Sequence, residues 1–264
     1  MMNNLNFFAK RINANSLKLG VLFCTVALVF SGCVSQVQKE KSDENLKARA
    51  RAHTDLGAIY FQQKQFEVAL EEFNQATKID PSFGLAYNGL GLVYAALRQD
   101  DIANMHFKKA IIIEPSNSES HNNYGSFLCA RSRYDESIKE FLEAVKNPLY
   151  ATPAVAYTNA GICSMRNKDT ANAEAYLQKA LQFEPLSNMA AYQLATIQFN
   201  RNDALSAKTT LQNVMLGQPT PEMLWLAIRI ERAMGTKDAE ASYSLQLRRQ
   251  YPDSEQAKLL QAGK

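Results

Sequence analysis

The sequence has few of the residues on which catalysis and metal binding usually depend. Its 264 residues include only 3 histidines, 4 cysteines and 1 tryptophan. No two histidines are spaced i, i+4, which removes the usual scaffold of a helical zinc site. The motifs G-x-x-x-x-G-K-[ST], G-x-G-x-x-G and G-x-S-x-G are also absent from the sequence. We therefore expect no enzyme activity, no cofactor, no metal site and no small-molecule substrate.

Positive charge is also scarce once its position is considered. The net charge is +3, from 29 basic and 26 acidic residues, and Lys10, Arg11 and Lys18 are the only charged residues among the first 32. The chain from residue 33 onward therefore holds 26 basic and 26 acidic residues and is neutral. A neutral domain has no positive field to hold a phosphate backbone. We expect no nucleic-acid partner.

The N-terminal segment predicts export. Three basic residues precede an apolar run over residues 19–30. This run is shorter than the roughly 20 residues of a membrane-spanning helix and is typical of a secretory signal. Ser31, Gly32 and Cys33 follow directly, and this order resembles the lipobox of bacterial lipoproteins, whose cysteine receives lipid. Phe30 stands near the place where that motif usually has leucine. The alternatives are an ordinary signal peptide or an uncleaved anchor.

The lipobox resemblance implies that Cys33 is lipidated and becomes the first residue of the mature chain. In these lipoproteins an aspartate after the cysteine favours retention in the inner membrane, so Val34 predicts the outer membrane, with the protein facing the periplasm. The polar residues 35–44 (SQVQKEKSDE) are typical of a flexible tether. We therefore divide the chain into a signal peptide (1–32), a lipidated cysteine with its tether (33–45) and a folded domain (46–264).

The folded domain shows an internal period of 34 residues. Its first two repeats both match the pattern L-G-x-x-Y, A-x-x-x-F and P of the tetratricopeptide repeat. The matching positions are Leu56, Gly57, Tyr60, Ala69, Phe73 and Pro81, and then Leu90, Gly91, Tyr94, Ala103, Phe107 and Pro115. Weaker repeats follow in register, with two extra residues between Pro148 and Pro153, and residues 253–263 indicate a capping helix. We expect an all-α fold, a tetratricopeptide-repeat superhelix of about six helix pairs.

Cys129 and Cys163 are expected to form a disulfide. They occupy nearly equivalent places, late in the first helices of the third and fourth repeats, and such helices lie side by side. A bond requires Cα atoms within about 7 Å, and the periplasm is oxidising. The alternative is two buried thiols that pack as small apolar side chains.

The inner wall of a tetratricopeptide superhelix is a candidate binding groove. In this fold the wall consists of the second, fifth, ninth, twelfth and thirteenth residues of each repeat. These positions give a partner-binding set of Thr54, Ala58, Phe61, Leu85, Asn88, Leu92, Asn122 and Ser126. The mixture suits an extended or helical protein segment, with Asn88 and Asn122 bonding to its backbone. The alternative is that some of these residues pack against capping elements of the same chain.

Five stretches resemble the family of type IV pilus biogenesis proteins called PilW or PilF. They are residues 122–129 (NNYGSFLC), 133–136 (RYDE), 147–150 (NPLY), 159–163 (NAGIC) and 247–254 (LRRQYPDS). Members of this family are six-repeat outer-membrane lipoproteins that act as pilotins. The resemblance implies binding of the pilus secretin subunit and promotion of its outer-membrane localisation and multimerisation, for pilus biogenesis and twitching motility. A competing interpretation is a periplasmic scaffold lipoprotein for cell-wall enzymes or outer-membrane protein assembly.

Overall fold

The computed structural model describes residues 42–263, and the regular elements of this part of the chain are helices. They are α1 (residues 42–62), α2 (Phe66–Ile79), α3 (Gly84–Ala96), α4 (Asp100–Ile113), α5 (Ser118–Ala130), α6 (Tyr134–Ala144), α7 (Pro153–Arg166), α8 (Thr170–Phe183), α9 (Asn188–Asn200), α10 (Ala204–Gln212), α11 (Pro221–Met234), α12 (Lys237–Gln250) and α13 (Glu255–Gln261). A short 3-10 helix, Val214–Leu216, follows α10. The all-α prediction is confirmed.

The helices form six pairs, from α1–α2 to α11–α12, and α13 packs at the end of the stack. The turn inside each pair contains one residue with a left-handed backbone. These residues are Lys64, Arg98, Ser132, Lys168, Asn202 and Gly235. Successive residues among the first three are 34 positions apart in the sequence, whereas Ser132 and Lys168 are 36 positions apart. The predicted period and its two-residue insertion between the third and fourth repeats are therefore confirmed.

Paired hydrogen bonds end the first helix of each repeat. After α1, the Gln65 N–H donates to the Tyr60 carbonyl at 2.9 Å, and the Lys64 N–H donates to the Phe61 carbonyl at 2.9 Å. This is the Schellman arrangement, which requires a left-handed residue just after the helix. Gly235 takes that conformation without a steric penalty. The left-handed conformation costs each of the other five residues about 1–2 kcal/mol. The packing around the turns must therefore compensate for this strain.

A large apolar side chain fills the wedge between successive first helices. A Cβ atom added to Gly57 of α1 would lie 2.8 Å from Phe73 Cε1, and one added to Gly89 of α3 would lie 2.2 Å from the same atom. Phe73 is buried, so its ring packs directly against the backbones of both helices. The side chains that fill this place in the next three repeats are Phe107, Phe141 and Leu177. The hydrophobic core is therefore continuous along the stack.

Two histidines join the two helices of their repeats through side-chain contacts with glutamates. His53 Nδ1 lies 2.7 Å from Glu72 Oε2, and His121 Nδ1 lies 2.6 Å from Glu140 Oε2. His121 Nε2 also lies 3.0 Å from the Pro115 carbonyl oxygen. Burial of this imidazole lowers its pKa, but the hydrogen bonds to Glu140 and Pro115 outweigh burial, and the pKa of His121 is raised above 6.5. His121 therefore links α5 to α6 more strongly when its imidazole is protonated.

The described part of the stack starts with a polar helical segment and ends with the short helix α13. Residues 42–45, which composition assigns to the tether, are already helical. Polar composition indicates exposure rather than an irregular backbone, and Glu44 is a good helix former. At the other end, the Ser254 side chain accepts from the Ala257 N–H and caps α13. Ala257 and Leu260 are buried against α11 and α12, so α13 covers apolar side chains at the end of the stack.

Candidate protein-binding surface

The first helices α1, α3 and α5 present the predicted groove residues with very different exposure. Ala58 and Ser126 are exposed, whereas Phe61, Leu85, Leu92 and Asn122 are half-buried. Thr54 is only 8% exposed, and its hydroxyl donates to the Ala50 carbonyl at 2.9 Å. Thr54 therefore contributes to packing within the first repeat and is not accessible to a partner, contrary to the prediction that it lines the binding groove.

Asparagine side chains link the first helices of neighbouring repeats. Asn123 Nδ2 donates to Asn88 Oδ1 at 3.4 Å, and Asn159 Nδ2 donates to Asn122 Oδ1 at 3.0 Å. Asn88 is also only 3% exposed. Its amide therefore serves the packing of α3 on α5, contrary to the expectation that it bonds to a peptide. The Asn122 amide nitrogen donates to none of the described residues, so Asn122 stays a candidate for bonding to a partner.

The rest of the wall consists of small and apolar side chains. Phe61 packs against Phe66 with ring centroids 5.9 Å apart, and Leu92 packs against the buried core of the second and third repeats. The Ser126 hydroxyl donates to the Asn122 carbonyl at 2.9 Å. This wall can hold an apolar segment, and it offers that segment one amide donor.

Cys129 of α5 and Cys163 of α7 meet between the third and fourth repeats. Their Cα atoms are 5.9 Å apart, and the structure joins their sulfurs as a disulfide. The pair is buried together with Phe141 and Ala160. This geometry meets the distance requirement for a bond. Oxidation of the pair in the cell stays a prediction.

The two-residue insertion creates clefts that the repeat pattern does not predict. Residues 147–152 precede α7, Pro153 is its first residue, and this segment 147–153 borders two clefts. The first cleft, of about 760 Å³, lies between this segment and the α4–α5 connection. The second, of about 570 Å³, lies between the segment and the end of α8. We call both clefts and the segment between them the insertion surface. It adjoins the groove at Asn122, which lines the first cleft.

Large apolar side chains are exposed on the insertion surface. Leu149 is 89% exposed, Phe183 is 59% exposed and Val155 is 43% exposed. The charged residues that line the two clefts are Glu114, Glu119 and Glu184, and no described lysine, arginine or histidine lines either one. In the sequence, the change of period from 34 to 36 residues is the signal for this surface. The repeat pattern by itself indicates only two extra residues at this point.

The remaining predictions concern the N-terminal export signal, metal binding and membrane-spanning helices. Cys33, the lipobox and the signal peptide lie outside residues 42–263. Within that range, no group of three or more His, Cys, Asp or Glu side chains is placed to hold a metal ion. None of the helices in the same range combines the length and apolar character needed to cross a membrane.

Repeat-family profiles match three stretches of the chain. The profile described as TPR repeat matches residues 50–97. Profiles described as tetratricopeptide repeat match residues 106–139 and 154–185. These stretches span much of α1 to α8, and they confirm the predicted repeat type.

Proteins of type IV pilus assembly are similar to the chain over most of its length. The type IV pilus assembly protein PilF of Pseudomonas aeruginosa is 29% identical over 242 residues, which cover 90% of this chain and 96% of that protein. A solved structure from the functional characterisation of Pseudomonas aeruginosa PilF matches with a TM-score of 0.73 at 29% identity, and the match covers 83% of this chain and 100% of the other. The crystal structure of PilW, a widely conserved type IV pilus biogenesis factor, matches with a TM-score of 0.68 at 30% identity, over 80% of this chain and 97% of the other.

Proposed function

The chain belongs to the tetratricopeptide-repeat family of type IV pilus biogenesis proteins that includes PilF and PilW, and we propose that it is a non-catalytic pilotin of that system. In this proposal it binds subunits of the pilus secretin and promotes their localisation and multimerisation in the outer membrane. The main support is the similarity to two pilus biogenesis factors along nearly their whole length.

The wall formed by α1, α3 and α5 supports a role in holding a secretin segment. Ala58 and Ser126 are exposed, and Leu85 and Leu92 are half-buried, so an apolar segment gains contact area there without displacing core side chains. The amide nitrogen of Asn122 can donate to a backbone carbonyl of that segment. A segment held in this way would have its apolar surface shielded from water during transit.

The lipid on Cys33 is the second part of the proposal. Each buried methylene group contributes about 0.8 kcal/mol, so several acyl chains hold a protein firmly at a membrane. An anchored carrier confines its secretin subunits to the membrane surface and raises their effective concentration, which favours assembly of the ring. Cys33→Ala is expected to abolish targeting and to leave secretin binding in solution intact.

Binding of the purified chain to solubilised secretin subunits, measured by biolayer interferometry, tests the groove. Ala58→Glu and Ser126→Glu place a charge on exposed wall positions. We expect each variant to bind at least about tenfold more weakly, because an unpaired carboxylate is costly to bury. Ala171→Glu makes the same change at an exposed position of α8, a second helix, and should bind like the wild type. Absence of binding by the wild type, or equal loss in all three variants, would rule out this use of the groove.

A further inference from the structure

We propose that the insertion surface docks a second protein segment, one that carries large apolar side chains flanked by lysine or arginine. This docking is independent of what the groove of α1, α3 and α5 binds. It is supported by apolar side chains held outward, by a buried hydroxyl without a partner, and by carboxylates without basic neighbours.

Local hydrogen bonds hold Leu149 away from the stack. The Leu149 N–H donates to Asn147 Oδ1 at 2.9 Å, and the Tyr150 N–H donates to the Asn147 carbonyl at 3.1 Å. Pro148 and Pro153 restrict the backbone near either end of the segment. The exposure of Leu149 is therefore a property of an ordered turn. A partner that contacts this side chain orders little of the surrounding chain, which favours binding.

The second cleft has an apolar side chain of its own. Phe183 lies at the end of α8, and its ring stacks on Tyr157 with centroids 5.7 Å apart. The stack fixes the orientation of the ring, while 59% of the residue stays exposed. Grouped apolar side chains on a protein surface mark contact sites. Leu149 lines the first cleft and Phe183 the second, and Val155 lines both, so one segment that crosses Val155 has an apolar anchor point on either side.

The first cleft contains a polar group that lacks a partner. Ser118 is 6% exposed and lines this cleft. Its hydroxyl forms no hydrogen bond with any described residue, and leaving such a group buried and unpaired is unfavourable. The hydroxyl oxygen itself is shielded in this conformation, so a docked segment can pair with it only after the Ser118 side chain changes its rotamer.

The charges of the clefts select the partner. The side-chain carboxylates of Glu119 and Glu184 are exposed and form no ion pair or hydrogen bond with the described residues, whereas the Glu114 carboxylate accepts from the Gly84 N–H at 2.8 Å. Carboxylates repel an anionic lipid surface, and a symmetric contact with a second copy would bring like charges together. Lysine and arginine are attracted to them. A protein segment with apolar and basic side chains therefore fits this surface.

A phage-displayed library of random short peptides, selected on the purified full chain, tests the proposal. We expect enrichment of peptides that combine Leu, Ile or Phe with Lys or Arg. The double variant Leu149→Ser, Phe183→Ser changes only exposed positions. In fluorescence polarisation it should bind the enriched peptides at least about tenfold more weakly, because both apolar anchors are lost. Glu184→Lys should also weaken binding and reduce its dependence on salt.

Two control variants locate the binding. Ser126→Glu alters the groove, and Leu205→Ser removes a leucine that is 66% exposed on α10; both should bind the peptides like the wild type. Absence of enrichment, enrichment of acidic peptides, or unchanged affinity of the double variant would overturn the proposal. Binding of phosphatidylglycerol vesicles to the wild type but not to the double variant would also overturn the proposal, because it would identify the insertion surface as a membrane-binding face. The assay contains no secretin, so a negative result would overturn the docking proposal without affecting the pilotin proposal.

Discussion

Removal of the cross-link between Cys129 and Cys163 is predicted to lower the free energy of unfolding by about 3–4 kcal/mol. The two cysteines are 34 residues apart in the chain. A closed loop of that size reduces the entropy of the unfolded state by about 13 cal/mol/K, which corresponds to about 3.8 kcal/mol at room temperature. Because each repeat contacts only its neighbours, the interface of the third and fourth repeats should weaken most.

Guanidinium unfolding followed by circular dichroism, with and without dithiothreitol, measures this loss. The wild type should unfold at a lower denaturant concentration when it is reduced. The double variant Cys129→Ala, Cys163→Ala should not respond to the reductant and should unfold near the reduced wild type. Peptide mapping after alkylation shows whether the bond forms. Equal midpoints for the oxidised and reduced wild type, or two alkylated thiols in the oxidised sample, would refute the reasoning.

Three further predictions concern packing, pH and backbone strain. Gly89→Ala places a methyl group 2.2 Å from Phe73 Cε1, so denaturant unfolding should show a loss of roughly 1–3 kcal/mol. An unchanged free energy of unfolding in Gly89→Ala would contradict the wedge. His121→Gln removes a stabilisation that is present below the unfolded-state pKa of 6.5 and lost as the pH rises through the higher folded-state pKa. The difference in melting temperature from the wild type should therefore shrink with rising pH, and a growing difference would contradict the ion pair. Lys168→Gly relieves a left-handed residue with φ 62° and should stabilise by up to about 1 kcal/mol in denaturant unfolding, because the relieved strain exceeds the entropic cost of glycine. A destabilised Lys168→Gly variant would show that the turn carries no such strain.

The repeat architecture could be predicted from the sequence because its determinants are local and periodic. Gly57 and Phe73 recur at a fixed spacing, since each repeat has to pack two helices against the next repeat. The left-handed residue at Lys168 confirms even the two-residue shift of frame. The extent of the first helix could not be predicted, because a residue such as Glu44 suits both a polar tether and an exposed helix.

The accessibility of the groove was harder to predict, because it depends on contacts between repeats. Asn88 occupies a groove position within its own repeat, but Asn123 of the next repeat bonds to it, and Asn88 is buried. The insertion surface has no position in the repeat pattern at all. The exposure of Leu149 depends on a turn formed by the inserted segment itself, so a periodic pattern contains no information about it.

Secretin multimers give the most direct test of the pilotin function. An immunoblot for heat-resistant secretin multimers in outer-membrane fractions should compare cells that lack this protein with cells that express the wild type or Cys33→Ala. We predict that the multimers are lost or mislocalised without the protein, and that the wild type restores them but Cys33→Ala does not. Normal multimers in cells that lack the protein would contradict this function and favour a scaffold for cell-wall enzymes or outer-membrane protein assembly.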